Sequence, residues 1–122
     1  MKFIFQQNLL CESLLKAQKA IPVRTSLDVL KGVFLELDGD VLSLKRSDLK
    51  MSINTFSRVR GFKNGSLVLP ERFIDIIKNL PPAVSELEVE DDSLSALISQ
   101  GDITFKVQGF SPEDFPAFPQ KS

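Results

Sequence analysis

The sequence predicts an α+β domain in which two amphipathic helices pack on antiparallel sheets of about eight strands. Three observations carry this. Short segments with apolar residues at every second position are joined by Gly- and Asp-containing turns, the pattern of hairpins and therefore of antiparallel sheet. Two segments, near residues 8–21 and 70–80, change to spacings of three and four, the stripe of a helix. At 122 residues the chain is long enough for one domain with a single core, and two helices suffice to cover one side of such sheets.

The elements follow in order. Phe3 and Phe5 alternate with Lys2, Ile4 and Gln6 as a short strand. Leu10, Leu14, Ala17 and Ile21 form the first helical stripe, with Asn8 as the expected N-cap and Pro22 as the stop. Glu12 and Lys16 on the opposite side are spaced for an i,i+4 pair. Val33, Leu35 and Leu37 alternate with Phe34 and Glu36, Asp38-Gly39 makes a hairpin turn, and Val41, Leu42 and Leu44 return. A second turn is expected around Lys45-Arg46-Ser47-Asp48, leading into Leu49, Met51, Ile53 and Thr55, with a bend near Ser57. Lys63-Asn64-Gly65 turns the chain again, and residues 66–69 form a short strand.

Pro70 suits the first position of the second helix, whose stripe is Phe73, Ile76, Ile77 and Leu80 and whose end is Pro81-Pro82. Leu87 and Val89 then alternate with Glu86, Glu88 and Glu90, and Asp91-Asp92 turns the chain. Leu94, Ala96 and Ile98 form the next strand, and Ile103, Phe105 and Val107 form the last, across a turn at Gln100-Gly101-Asp102. Residues 1–110 are thus one domain, and the proline-rich 111–122 read as a connector. Both halves, 1–57 and 66–108, run strand, helix and about three strands, a match of order rather than of residues.

The absences exclude whole classes of function. With no His, a Ser-His-Asp triad, a Cys-His pair and a His-ligated zinc site are impossible. The single cysteine, Cys11, builds neither a disulfide nor a thiolate cage, and it reads as a packing residue of a protein in a reducing cytoplasm. No glycine-rich phosphate loop is present, and no apolar run approaches the ~20 residues of a membrane helix. No cofactor, metal or small-molecule substrate is expected. The net charge of −1 argues against a nucleic-acid binder unless the 15 basic residues are unevenly placed.

Several segments together resemble a known family. The opening Met1-Lys2-Phe3 strand and its helix, Arg24-Thr25-Ser26-Leu27-Asp28-Val29-Leu30, Ser47-Asp48-Leu49, Leu69-Pro70 with Arg72-Phe73, Lys78-Asn79-Leu80-Pro81, and Asp114-Phe115-Pro116 occur in the order and near the spacing seen in the beta subunit of bacterial DNA polymerase III. The chain departs from that pattern at Asp28, where Pro is usual, at Lys45-Arg46, where Thr-Gly is common, and at Glu12, where a base can occur. The resemblance implies the DNA-clamp fold and a non-catalytic role. Family subunits carry three such domains and close as a head-to-tail homodimer around double-stranded DNA, with DNA polymerase III and the clamp loader as partners of the intact ring. This chain ends where the first domain would hand over to the second. It is therefore expected to be one wall segment of the ring, cytoplasmic and nucleoid-associated, without the family's pocket for partner peptides.

The same resemblance selects residues. Arg24 on the loop, Lys16 and Lys19 on the first helix, and Arg72 and Lys78 on the second are expected to face DNA phosphates. Phe105 and Val107 on the last strand are expected at the subunit interface. From the residues alone, each base is equally a solvated helix-face charge, and Phe105 and Val107 equally fill the domain's own core. Two other readings compete: a stand-alone interaction module without a DNA role, and a metal-dependent hydrolase using Asp48, Asp91 and Asp92. Paired acids in a short turn are usually only turn residues.

Overall fold

The computed structural model describes residues 1–20, 32–47 and 52–114. The elements run β1 (Lys2–Gln6), α1 (Gln7–Ala20), β2 (Val33–Asp38), β3 (Val41–Ser47), β4 (Ser52–Arg58), β5 (Arg60–Lys63), β6 (Gly65–Leu69), α2 (Glu71–Asn79), β7 (Val84–Glu90), β8 (Ser95–Gln100) and β9 (Ile103–Gln108), then a 3-10 turn at Pro112–Asp114. The strands form a five-stranded sheet, β5-β1-β7-β8-β9, and a four-stranded sheet, β4-β3-β2-β6. Every pairing is antiparallel.

Alternation puts Phe3 and Phe5 of β1, Leu35 and Leu37 of β2, Leu42 and Leu44 of β3, Leu87 of β7 and Ile98 of β8 inward. They meet Leu10 and Leu14 of α1 and Phe73, Ile74 and Ile77 of α2 in one contiguous core. Each half supplies a three-stranded meander, β2-β3-β4 or β7-β8-β9, and each meander is extended by the first strand of the other half. β1 pairs with β7, and β6 pairs with β2. The matching order of elements is therefore a reciprocal exchange of strands.

Several details differ from the sequence reading. Lys45, Arg46 and Ser47 extend β3 instead of turning, because their ladder continues to Asn54, Ile53 and Ser52. The bend near Ser57 is a break at Val59, whose N–H donates to the carbonyl of Asp40 at 3.0 Å. Beyond it the chain crosses to the other sheet as β5, a ninth strand. The crossing is tight: a Cβ on Gly61 would collide with the Gly39 carbonyl.

Helix α1 begins at Gln7, so Asn8 lies inside it. The buried Gln7 side chain donates to the Ile77 carbonyl at 2.6 Å, tying the start of α1 to α2. Pro70 is the extended N-cap of α2 and not its first helical residue, and Ile74 rather than Ile76 completes the buried stripe. Leu94 has a left-handed backbone (φ 57) in the turn after β7, so β8 starts at Ser95. Ile21, Arg24, Asp48, Leu49, Met51 and the connector beyond Asp114 lie outside the described residues.

Candidate functional site

The buried stripes of α1 and α2 fix which side chains the helices present to solvent. With Leu10, Leu14 and Ala17 inward, α1 exposes Asn8, Leu9, Glu12, Lys16 and Lys19. With Phe73, Ile74 and Ile77 inward, α2 exposes Glu71, Arg72, Asp75, Lys78 and Asn79. Both helices pack on one core and touch each other. Lys16, Lys19, Arg72 and Lys78 thus share a single helical layer, while Arg24 falls outside the described residues.

The positive charge of that layer is diluted. Its four cations are interleaved with three exposed carboxylates, Glu12, Glu71 and Asp75. Lys16 Nζ lies 3.2 Å from Glu12 Oε1, the pair expected from their spacing. Such a surface attracts polyanions weakly, through long exposed side chains suited to phosphate contacts. On the outward face of β7, Glu86, Glu88 and Glu90 form an acidic row, with Lys2 Nζ 3.5 Å from Glu86.

A second surface lies at the sheet edge. Among the described residues β9 pairs only with β8, so its outer backbone groups are open. Val107 is 2% exposed and belongs to the core. Phe105 is half-buried and lines a recess of about 200 Å³ with Arg72, Asp75, Ile76, Asn79 and Leu80. Ile103, on the same face of β9, is 45% exposed. Helical periodicity assigned Ile76 to the core and so hid this patch; its signal was a helix with more apolar residues than one buried face holds.

The acidic turn is accounted for by its neighbours. Lys63 Nζ donates to Asp91 Oδ2 at 2.8 Å. That bond, reinforced by charge, holds the Asp91 carboxyl below its ordinary value and raises Lys63 above its own. Among the described residues, no three His, Cys, Asp or Glu side chains gather to hold a metal ion, and every buried side-chain nitrogen or oxygen has a partner.

The family described as "DNA polymerase III beta subunit, N-terminal domain" matches residues 1–119. The chain belongs to that family. The beta sliding clamp of Bacillus subtilis is 34% identical over 129 residues, spanning 98% of this chain and 34% of the relative. That of Staphylococcus epidermidis is 31% identical over 131 residues, spanning 100% and 34%. Among solved structures, the DNA polymerase sliding clamp of B. subtilis superposes with a TM-score of 0.87 at 32% identity, covering 98% of this chain and 34% of that one. The Caulobacter crescentus clamp superposes with a TM-score of 0.89 at 24% identity, which speaks for the fold alone. The two-helix, two-sheet architecture is thus the clamp domain. The chain spans about a third of the length of the beta subunits it matches.

Proposed function

We propose that this chain is a wall segment of a DNA sliding clamp, a non-catalytic scaffold that helps a ring stay on duplex DNA and tether the replicative polymerase. The observation that carries the reading is the helical layer bearing Lys16, Lys19, Arg72 and Lys78 on a clamp-domain fold. A ring that must slide needs weak, replaceable phosphate contacts, since base-edge contacts would stop it at particular sequences. Arg24 belongs to the same set by family resemblance. The β9 edge, with Phe105, Ile76 and Ile103 beside it and Val107 anchoring it from within, is the surface for a neighbouring clamp domain in a head-to-tail homodimer. The 111–122 connector leads toward a second domain, and clamp loader and DNA polymerase III act on the closed ring, at the nucleoid in the cytoplasm.

Duplex binding followed by fluorescence anisotropy from about 20 to 150 mM salt tests the DNA role. Binding should be weak and independent of sequence, falling by about 0.9 log units per log unit of salt for each phosphate contacted. The net charge of −1 favours a second reading, a clamp-like interaction module without a DNA role. Absence of binding at the lowest salt would select it.

A further inference from the structure

We infer that Glu12 sets the strength of the nucleic-acid contact by sequestering Lys16, making Lys16 a conditional phosphate ligand. The inference rests on the DNA-facing reading of the helical layer and adds a control element to it. Lys16 Nζ is 3.2 Å from Glu12 Oε1 one helical turn away, and both side chains are mostly exposed, at 66% and 62%. Among the described residues, Lys19, Arg72 and Lys78 have no carboxylate within ion-pair distance, so Lys16 alone of the four begins neutralised.

The order, Glu before Lys at i,i+4, is the favourable one on a helix. An exposed pair of this kind is nevertheless weak enough for a phosphate to open it. A phosphate approaching Lys16 must displace Glu12 and then sit within a Debye length, about 10 Å at 0.1 M salt, of the carboxylate it displaced. Glu12 therefore both competes for the ammonium and repels the incoming group. The result is a contact that forms late and releases early, as a surface moving along DNA requires.

Three substitutions test this by anisotropy with a duplex of mixed sequence. Glu12→Gln should tighten binding about two- to fivefold near 50 mM salt and steepen the salt dependence by up to about 0.9 log units per log unit. Glu88→Gln changes net charge equally, but on the outward face of β7, where Glu88 is 53% exposed and lies 3.9 Å from Lys2 Nζ; it should move the dissociation constant by less than about 1.5-fold, since among the described residues Glu88 competes for no cation of the helical layer. Adding Lys16→Ala to Glu12→Gln should abolish the gain. Thermal melts confirm that all variants remain folded. An equal effect from Glu88→Gln, or a gain that survives Lys16→Ala, overturns the role of Glu12. If neither the unmodified chain nor any variant binds duplex at about 20 mM salt, the DNA-facing reading itself falls.

Discussion

Arg46 occupies an inward position of β3 where alternation calls for an apolar side chain, in line with Leu42 and Leu44, and it is 4% exposed. Burial lowers its hold on the proton, and the charge of Glu71 in the first turn of α2 works the other way. Basic residues beside Ser-Asp looked like a turn, and only the ladder to β4 reveals a strand. Ile74 and Ile76 invert a similar assignment, because both fit a helical stripe and packing alone decides which is inside. Ile74 is 1% exposed, so Ile74→Ala should cost about 2–4 kcal/mol in urea unfolding. Ile76→Ala, at the half-open recess, should cost less than half as much. The Lys63–Asp91 pair makes a pH-dependent contribution. The lowered carboxyl contributes above the ordinary aspartate range and is lost as pH falls through its depressed value; the raised lysine contributes until pH climbs through its elevated value. Asp91→Asn should therefore slightly reduce Tm at pH 7 in calorimetry, and the difference should vanish in strong acid.

At the scale of elements, most of the fold was legible because alternation and helical stripes are local signals. β1, β2, β7 and β9 form where those signals place them, and α1 does so apart from its start at Gln7. What stayed hidden depended on distant partners: the extension of β3 along β4, the crossing of β5 to the other sheet, and the left-handed Leu94, whose carbonyl accepts from Gly109 N–H at 2.8 Å. The bases on α1 and α2 were legible as exposed helix-face residues, whereas the recess beside Phe105 was not, since it joins residues from α2 and β9. The open β9 edge leads to a measurable outcome. At high concentration, sedimentation velocity should show self-association, and Ile103→Lys should suppress it without lowering Tm, because a charge on an exposed edge position blunts strand pairing. A strictly monomeric profile of the unmodified chain would count against the edge as an interface.

For the whole molecule, the proposed DNA role depends on how charge is spread over one layer rather than on any single group. Arg72→Ala and Lys78→Ala should each weaken duplex binding by a similar factor for every sequence and reduce the salt slope by about 0.9, additively when combined. A loss confined to particular sequences would point to base readout instead. The exchange of β1 and β6 between the halves has a further consequence, for how the chain tolerates being divided. Opened at Asn64, it would yield two pieces, each with a meander that lacks its own fourth strand and each carrying the strand the other lacks. Such pieces should be unfolded separately and regain structure on mixing. The domain would then serve as a split reporter, with reassembly signalling that whatever is fused to its halves has met.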